Sequence, residues 1–469
     1  MKYKKIHFVG IKGVGMTPLA IIAHEAGGVV TGSDVAETFI TDHALQKAGI
    51  SVFSEFSSEH SSTADLVITT GAHGGFTNPE VSAAREKNIP ILTQGQAVGE
   101  FMHGEIFGRT FTGVSVAGSH GKTTTTAMIA TMLSENKKDP SYIIGTSEIA
   151  SLPLPGHFGK GQVFVAEADE YATEPIADKT PKFLWQHPRF LVITNIELDH
   201  PDIYASVEDV RAAFLSFAKQ LPESGVLIVC GDNPQVQLLL KEYSGNMITY
   251  GLSPKNDFVL SRVSVSGEQT FFWVENKGAT LGQFVLKQSG EHNCLNALAA
   301  LIVSQELGLS LDECKKGLLA FTGTKRRMEL LGSTKDGTIV MDDYAHHPTE
   351  IMSTLKAVRL SYPKHRIITI FQPHTYSRTK TLFTEFGKAF FGTDTLLLMD
   401  IFGSAREEID LSISSEKLAH EIKKSFISVV YTPKEKDVLE YLSSQKLTHN
   451  TIIITMGAGN VYHLAQKIL

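Results

Sequence analysis

The chain has 469 residues, of which 42% are hydrophobic and 20% are charged, and its formal net charge at pH 7 is −7. This composition excludes a disordered chain, and the mild acidity gives no global electrostatic reason to bind nucleic acid or anionic lipid. Three widely spaced cysteines cannot build a disulfide framework and are typical of a reducing compartment. No apolar run reaches the ~18 residues of a membrane span, so we expect a cytoplasmic enzyme without membrane insertion.

The first hundred residues alternate short apolar strands with helical stretches. A helix is predicted over residues 16–26, between the first two strands. Strands joined by crossover helices in short succession predict a doubly wound parallel sheet. The strands are predicted at residues 6–11, 29–31, 66–70 and 89–92.

Two further units of the same kind follow. The second begins near Thr110 with a strand, a glycine-containing loop and a helix over residues 122–134, and residues 150–161 are predicted to form a loop. The third begins after a helix over residues 311–320 and a connector over residues 322–327. Strands are predicted at residues 114–117, 163–166, 190–194, 338–341, 367–371, 396–399 and 452–455. We therefore predict three consecutive α/β domains, over residues 1–108, 109–323 and 324–469.

A phosphate-binding loop is predicted between the first strand and helix of the second unit. Glycines let the backbone N–H groups turn inward, and the following helix N-terminus adds partial positive charge. Lys122 can reach the β- and γ-phosphates, and the Thr123 hydroxyl can bind Mg²⁺. Val116 stands where the longer pattern has its first glycine, and a plain strand–helix turn is the alternative. The residues assigned to this loop are Gly118, Ser119, His120, Gly121, Lys122, Thr123 and Thr124.

Acidic side chains follow two strands of the same predicted sheet. Glu-Ala-Asp-Glu at residues 167–170 ends one strand, and Glu197, Asp199 and His200 follow another. The carboxyl ends of parallel strands share one sheet edge, so both sets should lie beside the phosphate loop. They could hold two divalent ions, although each acid taken singly is more often a solvated loop residue.

The glycines of the first unit resemble a dinucleotide fingerprint in part. Gly10, Gly13 and Gly15 follow the first strand, and Asp34 follows the second. Their order is G-x-x-G-x-G rather than the G-x-G-x-x-G of NAD-binding proteins, so the pattern favours a diphosphate other than NAD. A tight structural turn is the alternative.

Two polar stretches follow strands of the third unit, at residues 342–348 and 372–380. They contain histidines and one arginine, and Arg326 and Arg327 open the domain. An arginine fork suits carboxylate or phosphate, so we predict a site for an anionic substrate at this edge.

Several stretches in chain order closely resemble the Mur ligases, which are three-domain, ATP-dependent amide ligases that build the cell-wall peptide. They are residues 119–124 (Ser-His-Gly-Lys-Thr-Thr), 167–170, 195–200 (Asn-Ile-Glu-Leu-Asp-His), 292–296, 325–329 and 343–350. The resemblance implies a Rossmann-like UDP-sugar domain, a P-loop ATPase-like central domain and a Rossmann-like amino-acid-binding domain. It also implies domain closure over ATP about a hinge near Thr324.

Within the family, residues 7–16 and 371–380 resemble the members that join L-alanine to UDP-N-acetylmuramate in peptidoglycan precursor synthesis. Residues 170–189 look more like the members that recycle murein tripeptide, which is the alternative function. Lys12 replaces a glycine usual in the family. Phe214 stands where many relatives have a carbamylated lysine, and both the alanine-adding and the recycling types lack that lysine.

The resemblance implies the following sites. The catalytic residues would be Lys122, Glu167, His200, His346 and His347. Residues outside the phosphate loop that contact ATP would be Asn293, Asn296, Arg327 and Asp343. The UDP-sugar would contact Gly13, Val14, Gly15, Met16, Ser33, Asp34, His73 and Asn78. The amino acid would contact Tyr344, His346, His374, Tyr376 and Arg378. Thr123, Glu167 and His200 would hold Mg²⁺, as two ions or with Mn²⁺ in its place.

The expected partners are therefore UDP-N-acetylmuramate, L-alanine and ATP. The protein is expected to be a monomer or a homodimer. Two other classes stay open at this point. An NAD-dependent oxidoreductase is suggested by the first-unit glycines and Asp34. A non-catalytic nucleotide-binding regulator would keep the phosphate loop but form no amide.

Overall fold

The structure is a computed structural model that describes residues 1–266, 269–403, 407–425 and 427–469. Its first part is a parallel sheet of five strands in the order β3-β2-β1-β4-β5. The strands are β1 (Lys5–Val9), β2 (Val29–Ser33), β3 (Ser51–Phe53), β4 (Leu66–Thr69) and β5 (Ile91–Thr93). The helices are α1 (Thr17–Glu25), α2 (Asp42–Lys47), α3 (Pro79–Glu86) and α4 (Gln94–His103).

The central part is built on a ten-stranded sheet in the order β17-β16-β15-β14-β13-β12-β6-β9-β7-β8. Its strands, with the separate hairpin β10–β11, are β6 (Thr112–Ala117), β7 (Ser141–Ile143), β8 (Gly156–His157), β9 (Val163–Glu167), β10 (Ala172–Glu174), β11 (Asp178–Pro181), β12 (Phe190–Ile193), β13 (Val226–Cys230), β14 (Met247–Gly251), β15 (Phe258–Ser266), β16 (Gln269–Asn276) and β17 (Ala279–Leu286). The helices are α5 (Lys122–Glu135), α6 (Val207–Ala218), α7 (Pro234–Leu240), α8 (Glu291–Glu306) and α9 (Leu311–Ala320).

The last part is a six-stranded sheet in the order β18-β19-β23-β20-β21-β22, in which β18 pairs antiparallel with β19. The strands are β18 (Glu329–Ser333), β19 (Ile339–Asp343), β20 (Arg366–Phe371), β21 (Thr395–Leu398), β22 (Val429–Tyr431) and β23 (Thr451–Met456). The helices are α10 (Pro348–Ser361), α11 (Tyr376–Thr381), α12 (Phe383–Phe386), α13 (Ser415–Lys423), α14 (Glu435–Ser443) and α15 (Tyr462–Ile468). Short 3₁₀ helices lie at Gly75–Thr77, Glu105–Phe107 and Lys182–Trp185.

The predicted fold class of three α/β units is confirmed, and the central strands of each sheet are buried runs as the sequence indicates. Two local predictions differ. The first strand ends at Val9 rather than at residue 11, and the predicted loop over residues 150–161 contains β8, which pairs antiparallel with β7. The antiparallel ribbon β15–β17 was not predicted. Along β16, buried residues alternate with less buried ones because one face of the ribbon packs on the core.

A segment of the central part packs directly on the first part. Helix α4 lies against the 3₁₀ helix Lys182–Trp185 at two glycines. A Cβ on Gly95 would lie 2.9 Å from the Lys182 Cβ, and a Cβ on Gly99 would lie 2.1 Å from the Trp185 carbonyl oxygen. The backbones approach this closely only because both residues lack side chains. Within the described ranges, no helix is long and apolar enough to cross a membrane.

Candidate active site

The predicted site residues of the central and last parts meet at one cleft. The loop after β6 and the residues after β9 and β12 all lie at the carboxyl edge of the central sheet, because those strands are parallel neighbours. The polar stretches after β19 and β20 lie at the carboxyl edge of the last sheet. The two edges face each other, with direct contacts such as the 2.6 Å hydrogen bond from the Thr349 hydroxyl to Glu197. Ligands of open parallel sheets bind at such edges.

Two glycines shape the phosphate loop. Gly118 has φ of 128°, and a Cβ there would lie 2.0 Å from the Thr194 Oγ1. Gly121 begins α5 with φ of 83°, and a Cβ there would lie 2.5 Å from the Asn296 Oδ1. Both positions therefore require glycine, for backbone angle and for space. The loop delivers the N-terminus of a 14-residue helix to the cleft, an arrangement suited to an anion.

The Lys122 ammonium is held within the loop and against one carboxylate. Its Nζ donates to the Gly118 carbonyl at 2.6 Å and contacts both Glu170 oxygens, at 2.9 and 3.1 Å. Burial opposes its charge, but the Glu170 and Asp169 carboxylates outweigh that effect and raise the pKa of Lys122 above its ordinary value. Lys122 is a permanent cation at the mouth of the phosphate loop.

Thr123 and Glu167 form the first oxygen-rich pair of the site. The Thr123 hydroxyl donates to Glu167 Oε2 at 3.1 Å, and the Gly145 N–H donates to Oε1 at 2.5 Å. Burial raises the pKa of Glu167 although these donors and the charge of Lys122 oppose it. A buried carboxylate is well suited to bind a divalent cation, because attraction to the cation would offset the free-energy cost of removing the carboxylate from water.

His200 lies with a different set of acids. Its Nε2 is 3.8 Å from Glu170 Oε1, and one ligand atom from each of Asp169, Glu170 and His200 lies within 4.8 Å of the others. The structure therefore places Glu167 with Thr123, and His200 with Asp169 and Glu170. Asp169 and Glu170 belong to the acidic set after β9 that the sequence predicts to hold a divalent ion, whereas the family resemblance implies only Thr123, Glu167 and His200 as ligands.

His120 of the phosphate loop connects the two sheet edges. Its Nε2 is 3.4 Å from Glu197 Oε2, and its Nδ1 is 3.4 Å from Glu350 Oε1 at the start of α10. Burial lowers the pKa of His120, but the Glu350 and Glu197 carboxylates more than reverse this and raise it to about 10. The charged imidazolium thus holds a carboxylate of each part. Sequence reasoning did not assign Glu350, because its partners belong to distant segments.

A cavity of about 160 Å³ opens beside the phosphate loop. Arg327 donates to Glu350 at 3.2 Å. Burial raises the pKa of Asp343 to about 6, even though Arg327 and two backbone N–H groups favour the charged form of Asp343. The cavity brings together the predicted residues Asn293, Asn296, Arg327 and Asp343 with Gly121, Thr124 and His292. Its polar side chains could contact the base or ribose of a nucleotide whose phosphates lie on the loop.

The two adjacent histidines after β19 have opposite hydrogen-bond roles. His346 Nδ1 lies 3.0 Å from the Tyr344 carbonyl, so Nδ1 carries the proton and Nε2 keeps a lone pair. His347 Nδ1 accepts from the Thr349 N–H at 3.3 Å, so its buried Nε2 carries the proton and has no partner among the described residues. Burial lowers the pKa of His346 to about 3, aided by Arg378, and lowers the pKa of His347 as well.

The predicted amino-acid residues line the facing side of the cleft. Arg378 is 3% exposed, and its Nε and Nη2 donate to Asp199 Oδ1 at 2.9 and 2.7 Å. His374 stacks on Phe402 with ring centroids 5.7 Å apart and lies 6.1 Å from the His346 ring. The Tyr344 ring contacts the His346 ring edge-on, with centroids 5.3 Å apart. Tyr376 is the first residue of α11, and its N–H donates to the Glu407 carboxylate. Burial and Arg378 keep His374 neutral by lowering its pKa.

The predicted UDP-sugar residues gather at the carboxyl edge of the first sheet, though not all face a ligand. Asp34 accepts from the Lys12 and Val35 N–H groups at 2.8 Å, and His73 Nε2 is 3.4 Å from Asp34 Oδ1. Ser33 is buried and donates to Glu80 at 2.6 Å, and Asn78 caps α3. Gly13, Val14, Gly15 and Met16 form the turn between β1 and α1.

Phe214 is fully buried on α6, with its ring centroid 5.1 Å from that of Phe183. Phe214 therefore offers no amine that could be modified at this position.

Comparison with known proteins accounts for the whole chain. Sequence profiles described as "Mur ligase family, catalytic domain", "Mur ligase middle domain" and "Mur ligase, glutamate ligase domain" match residues 5–105, 116–304 and 326–459. The UDP-N-acetylmuramate--L-alanine ligase of Desulfitobacterium hafniense (strain Y51) is 39% identical over 465 residues, covering 99% of both chains. That of Acetivibrio thermocellus is 40% identical over 471 residues, covering 100% of this chain and 96% of its own.

Solved structures agree with this assignment. A UDP-N-acetylmuramate-alanine ligase from Thermotoga maritima superposes with a TM-score of 0.80 at 28% identity, covering 99% of this chain and 98% of its own. A murein peptide ligase from Psychrobacter arcticus shares the fold, with a TM-score of 0.70 at 23% identity and the same coverage. Three matched domains and full-length relatives at this identity show that the chain belongs to the Mur ligase family.

Proposed function

We propose that the chain joins L-alanine to the lactyl carboxylate of UDP-N-acetylmuramate at the cost of ATP, forming ADP and phosphate in peptidoglycan precursor synthesis. The observation that carries the proposal is the meeting of the central sheet edge with the last sheet edge, where Asp199 binds Arg378 and His120 of the phosphate loop pairs with Glu350. Full-length relatives named as L-alanine ligases support the choice of substrates. An NAD-dependent oxidoreductase and a non-catalytic regulator have no support among these relatives.

The UDP moiety is proposed to bind at the first sheet edge, where the turn over residues 13–16 offers backbone N–H groups at the start of α1. Asp34 and His73 form an ion pair beside that turn, and we propose that they contact the nucleoside. The Ser33 hydroxyl donates to Glu80, and the Asn78 side chain caps α3. Because both side chains already have these partners, we propose that they shape this site rather than touch the ligand.

In the first chemical step, a lactyl carboxylate oxygen attacks the γ-phosphorus of ATP, and the bond to the β-phosphate bridging oxygen breaks to release ADP. Lys122 would exchange its contacts with the Gly118 carbonyl and Glu170 for contacts with phosphate oxygens of ATP. Its positive charge would then offset the negative charge on those oxygens. Thr123 with Glu167, and His200 with Asp169 and Glu170, fit two Mg²⁺ ions, because hydroxyl, carboxylate and imidazole donors gather there. Bound Mg²⁺ neutralises phosphate charge so that an anionic carboxylate can approach ATP.

In the second step, the alanine nitrogen attacks the acyl carbon and phosphate leaves, while the amine loses a proton. His346 is the better-placed acceptor for that proton, because its Nε2 carries the lone pair while the His347 lone pair accepts from the Thr349 N–H. Its pKa of about 3 makes His346 a weak base until a substrate carboxylate offsets the charge of Arg378, which is one of the causes that lower this pKa. The buried Nε2–H of His347 is suited to donate to a phosphate oxygen. Arg378 would bind the alanine carboxylate with the donor capacity that remains beyond Asp199.

The alternative substrate is the murein tripeptide, suggested by residues 170–189. In the structure, the end of this segment packs on α4 of the first part, and Trp185 donates to Thr173 within the segment itself. The residues nearest the proposed amine, His374 and Arg378, belong to the stretch that resembles the alanine-adding members. We therefore weight the amine side of the cleft above this segment.

Phosphate release from purified protein with ATP, Mg²⁺ and UDP-N-acetylmuramate tests the choice, with L-alanine and the murein tripeptide compared as amines. Turnover that depends on L-alanine supports the proposal. Turnover that depends on the tripeptide alone would reassign the chain to recycling while leaving the ATP site in place. Since its substrates are phosphorylated metabolites, we also propose a cytoplasmic location, and light scattering distinguishes a monomer from a homodimer.

A further inference from the structure

Lys12 lies in the glycine turn of the first part, and its ammonium contacts the stretch of chain that follows β2. Its Nζ donates to the carbonyl oxygens of Val35 at 3.0 Å and Glu37 at 2.8 Å. It is also 3.6 Å from Asp42 Oδ1 and 5.6 Å from the Phe39 ring centroid. The residue is only 8% exposed. An ammonium has three donors, so these contacts use its donor capacity.

The segment that Lys12 holds is residues 35–41, which we call the β2–α2 segment. It has neither helix nor strand, and Ala36, Glu37 and Thr38 are exposed. It follows Asp34 directly at the carboxyl edge of the sheet, beside the turn over residues 13–16. A segment of this kind needs ties from elsewhere to keep one conformation.

The backbone of Lys12 adds two further ties between the same two loops. The Lys12 N–H donates to Asp34 Oδ2 at 2.8 Å, and the Thr41 hydroxyl donates to the Lys12 carbonyl. Glycine, which is usual at this position in the family, would keep both backbone ties but could not supply the side-chain ones. The lysine side chain therefore adds ties that a glycine could not make.

We propose that Lys12 is a positioning residue for the UDP-sugar, acting by clamping the β2–α2 segment as a preformed wall of the nucleotide site. The proposal rests on the proposed function for the identity of the ligand. Because the ammonium is already engaged, Lys12 acts through the segment and not by contact with the diphosphate. A preformed wall spares the ligand the entropy of ordering the segment, so the benefit appears as binding.

The test compares Lys12→Met with Lys12→Arg, using Lys4→Met as a matched control because Lys4 is an exposed lysine of the same sheet region. We expect Lys12→Met to raise the KM for UDP-N-acetylmuramate about tenfold, with kcat and the KM for ATP changed less than about twofold. Lys12→Arg should restore the KM, since a guanidinium can reach two carbonyls, and Lys4→Met should match the wild type. A fall in kcat with an unchanged KM would overturn the proposal.

Two measurements do not depend on turnover. Chymotrypsin cleavage after Phe39 in the ligand-free protein should be about tenfold faster in Lys12→Met than in the wild type, because cleavage requires the segment to open. Equal cleavage rates would overturn the clamp even if the protein had another amine substrate. Calorimetry with UMP and UDP should show equal fold losses of affinity in Lys12→Met. A loss seen with UDP alone would instead identify Lys12 as a contact of the second phosphate.

Discussion

Arg378 and Asp199 join the last sheet to the central one through two hydrogen bonds that share a single acceptor oxygen. Nε and Nη2 of Arg378 reach Asp199 Oδ1 at 2.9 and 2.7 Å, and both side chains are nearly fully buried. The third guanidinium nitrogen, Nη1, faces the His374 carbonyl at 3.2 Å. The ion pair thus fixes the guanidinium plane at the place where the amine substrate is proposed to bind. Arg378 thus ties the last sheet to the central one, and we propose that its remaining N–H groups bind the amino-acid carboxylate.

We expect Arg378→Lys to lower kcat/KM for L-alanine about 100-fold, since lysine keeps the charge but loses the planar fork that serves Asp199 and a substrate carboxylate together. The KM for ATP should change less than about threefold. Steady-state phosphate release at varied L-alanine and varied ATP measures both quantities. Lys380→Met is the control, because Lys380 is a partly exposed cation two residues away whose partner is Asp410. If the KM for ATP rose as much as that for alanine, Arg378 would act only by holding the domains closed.

The two histidines after β19 should separate the two chemical steps. We expect His346→Gln to slow amide formation about 100-fold or more, because the proton acceptor is lost, and to leave ADP formation from ATP and UDP-N-acetylmuramate nearly unchanged. Rapid-quench measurement of ADP in a single turnover, with and without L-alanine, resolves the steps.

His347→Asn provides the complementary variant. Asparagine can still accept the Thr349 N–H at the start of α10, so the helix cap survives while the buried Nε2–H donor is removed. We therefore expect its main loss in ADP formation. An equal loss in both steps for His346→Gln would argue against its assignment as the base.

Metal dependence tests the pairing of Thr123 with Glu167. Glu167→Gln keeps the size of the side chain and its contact with Gly145 but removes the charge. We expect the Mg²⁺ concentration for half-maximal activity to rise by about tenfold or more, as charged ligands dominate binding of hard cations. Glu208→Gln, in the first turn of α6, serves as a control acid. An unchanged Mg²⁺ requirement would remove Glu167 from the metal site.

Strand ends and parallel neighbours were enough to predict which polar stretches share one sheet edge, whereas Asn293 and Asn296 were predicted from the family resemblance alone. The sequence could not predict contacts between sheets, such as that of Arg378 with Asp199, 179 residues away. These depend on how the parts are oriented, which no local pattern encodes. The ribbon β15–β17 was missed for a related reason, since antiparallel pairing beyond β14 is decided by packing on α8 and α9. Lys12 shows that even a correctly placed loop residue can direct its side chain to an unexpected partner.

His157 provides a pH-dependent contact between the first and central parts. Its Nδ1 is 2.8 Å from Glu25 at the end of α1, and its Nε2 is 3.0 Å from Asp139. Hydrogen bonding to Glu25 raises its pKa against the effect of burial, with Asp139 adding to the rise. The folded protein therefore binds this proton more tightly than the unfolded chain does. The stabilisation is complete below the unfolded pKa of about 6.5 and is lost as the pH rises through the folded value.

We expect His157→Gln to lower the free energy of unfolding by about 1 kcal/mol at about pH 6, and by less at a higher pH, because His157 loses its charge as the pH rises through its raised pKa. Urea unfolding followed by circular dichroism at the two pH values measures the difference. His103→Gln is the matched control, because His103 and its partner Glu105 are both well exposed and 3.7 Å apart, so screening leaves that pair little effect. A destabilisation that grew with pH would contradict the assignment, since it would require the neutral ring to make the stronger contact.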